Sequence, residues 1–159
     1  MRGKRKEIYK VARLKILKFG EPTLRMKARP VDAITPRITT LLDDMIETMR
    51  FAEGCGLAAP QVGVLRRIAV IEVEEGVVYE LINPEIIAME GEQCEQEGCL
   101  SNPGDYAYTK RPMRVTVRAM NRKGEIYELV GEGLLARAIC HECDHLDGKL
   151  YTDAAVKEK

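Results

Sequence analysis

The stretch His141-Glu142-Cys143-Asp144-His145 carries the clearest chemistry in this chain. On a helix, residues four apart stand one above the other, so both imidazoles can reach one metal ion while Glu142 points close beside it. That arrangement suits metal-assisted hydrolysis, with a cation to polarise a carbonyl and activate water and a carboxylate to move the proton. Two histidines do not complete such a site, because a catalytic centre of this kind needs three protein ligands and an open fourth position. The long zinc-protease motif supplies its third ligand downstream as a histidine, but here His145-Leu-Asp-Gly148 continues as Lys149-Leu150-Tyr151 and puts a tyrosine at that place. The third ligand is therefore expected upstream.

The elements that must position this helix can be read from periodicity. Thr35-Pro36 has the form of an N-cap followed by proline in the first turn, and Ile38, Leu41, Leu42, Met45, Ile46 and Met49 mark one apolar face, predicting a helix over about 36–52. Gly54-Cys55-Gly56 ends it. Residues 68–73 and 77–82 read as strands joined through Glu75-Gly76. Met113, Val115, Val117 and Ala119 alternate with polar residues, and the turn at 121–124 returns into 125–130, predicting a second hairpin. Gly131-Glu132-Gly133 opens the last helix, Leu134, Leu135, Ala138 and Ile139 supply its apolar face, and Gly148 closes it. The fold class is α+β, with antiparallel β-sheets packed around a C-terminal metal-binding helix and one N-terminal helix.

Composition narrows the partners. The 159 residues include 25 basic and 25 acidic side chains, a balance that gives no support to nucleic-acid binding or to a polybasic membrane contact by the body of the protein. No apolar run approaches the roughly 18 residues of a membrane span, and no signal-peptide core follows the N-terminus. Five cysteines, two of them inside or beside the histidine motif, fit a reducing compartment better than a disulfide framework. The expected location is the cytoplasm. Residues 1–10 form a basic tail (Arg2, Lys4, Arg5, Lys6, Lys10) expected to be disordered, and 11–159 a single catalytic domain.

Three short segments stand out once a metal hydrolase is considered: Gly54-Cys-Gly-Leu-Ala-Ala-Pro-Gln61, Glu97-Gly-Cys-Leu-Ser101 and Cys140-His-Glu-Cys-Asp-His-Leu146. In this order they resemble the peptide deformylase family, the bacterial enzymes that remove the N-formyl group from newly made proteins. The likeness runs from about Leu14, through Phe19-Gly-Glu-Pro-Thr-Leu24, to about Tyr151.

The resemblance implies a ligand set of Cys99, His141 and His145 around one divalent ion per chain. Ferrous iron is implied as the working ion in the cell, with zinc, nickel or cobalt able to occupy the site in purified protein. It further implies Glu142 as the proton shuttle, and Gln61 with the backbone N–H of Leu100 as donors to the oxyanion. The formyl-methionyl N-terminus of a nascent peptide is the implied substrate. Its backbone would pair with Gly54, Cys55 and Gly56, Gly98 would allow close approach to metal and substrate, and Leu134 and Ala138 would wall the side-chain pocket. Transient contact with the ribosome, through the basic tail and ribosomal RNA, is a further expectation.

Two departures from the family pattern are cysteines: Cys140 where glutamine is usual, and Cys55 in place of a branched aliphatic residue. Cys140 and Cys143 also spell Cys-x-x-Cys, although a straight helix does not bring such a pair into disulfide geometry. Beyond Leu150-Tyr151 only Thr152 to Lys159 follow, where many bacterial relatives continue into a further helix, and this leaves monomer and dimer both open. Rival readings are a metalloprotease with a different third ligand and a non-catalytic metal-binding protein of the same fold.

Overall fold

The computed structural model describes residues 12–157, so the basic tail at 1–10 lies outside the described residues. The helix predicted over 36–52 forms as α1 (Pro36–Phe51). Thr35 caps it with extended backbone and a side-chain oxygen that accepts from the Ile38 N–H at 3.4 Å, while Pro36 occupies a first-turn position where no N–H is required. Seven strands and a second helix follow: β1 (Gly56–Ala58), β2 (Ile68–Glu74), β3 (Val77–Glu90), β4 (Gln93–Glu97), β5 (Ala107–Arg111), β6 (Arg114–Met120), β7 (Ile126–Glu132) and α2 (Leu134–Leu146). A 3-10 turn at Tyr151–Ala154 leads to a last short strand, β8 (Ala155–Val156).

All pairings between named strands are antiparallel, in a five-stranded sheet of order β1-β2-β3-β6-β7 and a three-stranded sheet of order β4-β5-β8. Both predicted hairpins form, with two differences in extent. The strand expected to stop at 82 continues to Glu90, past Asn83-Pro84, a pair that ordinarily interrupts a ladder. Asn83 takes a positive φ of 52°, and its carboxamide exchanges hydrogen bonds of 2.8 and 2.9 Å with both backbone groups of Val31. This tertiary clamp holds a bulge through which β3 leaves β2 and continues along β6. At the other end, Gly131 and Glu132 belong to β7, and Gly133 alone opens α2.

β2 shows how one strand divides the core. Ile68 and Val70 join a cluster with Leu42, Met45 and Met49 of α1, whereas Ala69 and Ile71 join one with Ala136, Ile139 and Leu146 of α2. The period of two sends alternate residues to opposite faces, so the five-stranded sheet lies between the two helices. Each fully buried aliphatic side chain contributes about 1.5–3 kcal/mol. At the end of α2, Gly148 has φ of 74°, and a Cβ there would come within 2.5 Å of the Arg25 carbonyl oxygen. Only glycine satisfies both demands, and it docks the helix end on the N-terminal segment.

Candidate active site

Two elements bring the candidate ligands together. The α2 helix presents His141 and His145, whose rings lie 4.9 Å apart, and the turn after β4 brings Cys99 to them. Cys99 Sγ is 3.4 Å from His145 Nε2, and the ligand atoms of Cys99, His141 and His145 all lie within 4.8 Å of one another. The third member of this group, Cys99, lies upstream of the helix in the sequence.

A buried ion network holds this group. Glu97, 5% exposed, receives the His141 Nδ1 proton at 2.6 Å, so Nε2 is the ring nitrogen left for a ligand role. The same carboxylate accepts two hydrogen bonds from Arg111 at 2.7 and 3.0 Å, one from Arg137 at 2.9 Å and one from Thr109 at 2.6 Å. Arg111 also reaches Asp144 on α2 at 2.8 Å, and Arg137 is held by Gln93, Thr109 and Glu97. Burial pushes the Glu97 carboxyl up, but the hydrogen bonds from His141 and Arg111 outweigh it and hold the group well below the usual carboxylate range.

Glu142 is 3% exposed and lines the cleft, and its Oε1 has no hydrogen-bond partner among the described residues. Burial pushes its carboxyl up to about 7, against the pull of His141. The other carboxylate oxygen explains Gly56, because a Cβ there would lie 2.3 Å from Glu142 Oε2. Gly54 likewise makes room for the Leu100 side chain, and Gly98 for the ring of Tyr106. The three glycines expected to admit substrate therefore also admit side chains of the site itself.

Gln61 is oriented by the 3-10 turn at Ala59–Val62. Its Oε1 accepts from the Ala58 N–H at 2.9 Å, which turns the Nε2 donors toward Ser101 Oγ at 3.1 Å and Cys99 Sγ at 3.5 Å. Gln61 and His145 are each 1% exposed and meet the site through Cys99. The other expected residues line a cleft of about 520 Å³: Gly54, Cys55, Gly56, Gly98 and Leu100 from the loops, and Leu134 and Ala138 from the helix. Cys140 and Cys143 are free, and burial pushes Cys140 up to about 11 and Cys143 higher still, as expected of inert thiols rather than a redox pair.

Sequence reasoning assigned no role to Glu97, Arg111, Arg137 or Thr109. The available signals were the glutamate opening the second motif and a lone arginine between Leu135 and Ala138 on the apolar stretch of the last helix.

The residues present fit a divalent cation. One thiol and two imidazoles form a donor set suited to zinc or ferrous iron. Burial pushes His145 well below its ordinary value, which keeps the imidazole neutral, as a ligand role would require. At His141 burial acts the same way, but Glu142, Cys99 and Glu97 prevail and raise it, so the surroundings favour positive charge.

Comparison with known proteins agrees with this geometry. The sequence profile of the polypeptide deformylase family matches residues 13–159. A peptide deformylase from Alkaliphilus metalliredigens is 59% identical over 138 residues, covering 87% of this chain and 93% of that protein. A crystal structure of a peptide deformylase from Legionella pneumophila superposes with a TM-score of 0.88 at 44% identity, covering 91% of this chain and 87% of the other. Another, from Ehrlichia chaffeensis in complex with actinonin, gives a TM-score of 0.89 at 36% identity over 92% and 91% of the two chains. With the motifs in order, the three candidate ligands gathered within 4.8 Å of one another and relatives matched along nearly their whole length, the chain belongs to the polypeptide deformylase family, metal-dependent hydrolases that remove the formyl group from N-terminal formyl-methionine.

Proposed function

We propose that Cys99, His141 and His145 hold the catalytic ion, that Glu142 moves the proton, and that Gln61 and the Leu100 N–H bind the oxyanion. The observation that carries this reading is the gathering of the three candidate ligands within 4.8 Å of one another, two of them lining the same cleft as Glu142, whose Oε1 has no hydrogen-bond partner among the described residues. A divalent ion, when bound, polarises the formyl carbonyl and makes water acidic enough to attack at neutral pH.

The chain's own groups do the rest. Glu142 Oε1, with no donor among the described residues, accepts the proton of the attacking water and returns it to the departing amine nitrogen. The Gln61 amide is held in advance by Ala58 and needs no reorganisation as charge builds on the formyl oxygen. Glu97 keeps His141 in the tautomer that leaves Nε2 available, and the two arginines fix Glu97. Leu134 and Ala138 wall the methionine side-chain pocket, while the 54–56 segment and Gly98 receive the peptide backbone.

Ferrous iron is the working ion in this reading, with zinc, nickel and cobalt as substitutes in purified protein, because zinc binds such donors tightly whatever serves in the cell. Residues 11–159 act as one catalytic domain in the cytoplasm. No helix among the described residues is long and apolar enough to cross a membrane. Transient contact with the ribosome through the basic tail, and a monomeric or dimeric state, complete the proposal.

The test is formate release from formyl-Met-Ala-Ser by protein prepared without oxygen and loaded separately with ferrous iron, nickel and zinc. Fast turnover with iron or nickel and slow turnover with zinc is the expected result. No formate with any ion at full occupancy would overturn it. Glu142→Ala should lower kcat by about a hundredfold to ten-thousandfold while metal content stays unchanged.

A further inference from the structure

Tyr151, where the long zinc-protease motif would carry a histidine, has no part in the mechanism above. It is 1% exposed, its ring stacks on His141 at 6.2 Å and meets Phe19 at 5.9 Å, and its hydroxyl reaches the loop that follows the third candidate ligand. The hydroxyl donates to Asp105 Oδ2 at 2.6 Å and accepts from Asn102 Nδ2 at 3.1 Å, while Asn102 Nδ2 lies 3.2 Å from the same Asp105 oxygen. Three side chains thus close a ring of hydrogen bonds.

The loop at 102–106 walls the cleft, and its backbone begins three residues after Cys99, with the Asn102 N–H bonded to the Cys99 carbonyl at 2.9 Å. Its residues from Pro103 to Tyr106 are exposed, so apolar burial contributes little to holding it. The exposed Tyr106 lies over Gly98, where a Cβ would meet its ring at 2.7 Å.

We infer that Tyr151 is a positioning residue whose hydroxyl latches the 102–106 loop in the shape that receives the formyl-peptide. This rests on the proposed use of the cleft for substrate. The latch acts on binding and not on the bond-breaking step, because Tyr151 touches the loop and the ring face of a candidate ligand but none of the reacting atoms. Its loss should therefore appear in KM.

The test compares the wild type, Tyr151→Phe, Asp105→Ala and the double variant, each loaded with the same metal. Each single variant should raise KM for formyl-Met-Ala-Ser about tenfold, the scale of one lost charge-assisted hydrogen bond. Turnover number and metal stoichiometry should hold, and the double variant should be no worse than either single. Calorimetric binding of the product Met-Ala-Ser should weaken in parallel. Unchanged KM and product affinity in both single variants, even with a lowered Tm, would overturn the latch, as would fully additive effects in the double variant. If wild-type protein released no formate the reaction reading would fail, and product binding would still decide: weaker in both variants supports the latch, equal to wild type overturns it.

Discussion

The two helices on opposite faces of the five-stranded sheet bury different chemistry. On one face α1 buries Leu42, Met45 and Met49 with a single polar side chain, Thr48, whose hydroxyl donates to the Asp44 carbonyl and accepts from the Leu14 N–H. On the other face α2 buries Arg137, His141, Glu142 and His145 among alanines and Ile139. The apolar side needs only complementary shape, and methionine fills such gaps readily. The polar side needs partners for its fixed charges, since an unpaired buried ion costs several kcal/mol. Those partners come from the three-stranded sheet: Glu97 on β4, and Thr109 and Arg111 on β5. Stability can be supplied by either face, but tuned groups can be made only on the second.

This contrast can be broken first at Glu97. Glu97→Ala leaves Arg111 and Arg137 without their shared carboxylate and should cost about 3–5 kcal/mol of stability. It should also lower metal affinity about tenfold to a hundredfold, because His141 loses the acceptor for its Nδ1 proton. Urea denaturation and metal titration read the two effects, and normal stability with normal affinity would show that the network is dispensable. Met45→Ala on the opposite face should cost about 3 kcal/mol through a core cavity, with kcat/KM of the folded fraction unchanged. A fall in kcat/KM at full folding would show that the two faces are coupled. The smallest effect is expected for Thr35→Ala, which removes the α1 cap and should cost about 1 kcal/mol, read as a shift in Tm with no change in metal content.

Much of the fold was legible because its signals are local. The α1 stripe, the Glu75-Gly76 turn and the alternation before Asn121 each report on a few adjacent residues, and these elements form within a residue or two of expectation. The three-stranded sheet was not legible. β4 and β5 carry Gln, Glu, Thr, Lys and Arg on both faces, so no apolar alternation announces them, and Glu97 and Arg111 are buried as an ion pair to which the Thr109 hydroxyl donates. The continuation of β3 past Asn83-Pro84 was hidden for a similar reason, since it depends on Val31, distant in sequence. Within the site, His141, Glu142 and His145 followed from helical spacing, and the family resemblance implied Cys99, Gln61 and Leu100. Glycine 56 was expected to serve the substrate, and its nearest demand is the Glu142 carboxylate.

The sequence by itself determined the metal motif, the helix carrying it, the hairpins and the requirement for an upstream ligand, because spacing on a helix or strand is set by backbone geometry within a few residues. Only the tertiary structure decided which buried charges meet, which carboxylate sets the His141 tautomer, and which loop Tyr151 holds. Those choices depend on distances between segments tens of residues apart and on the exclusion of water around them, and neither is recorded in the order of neighbouring residues.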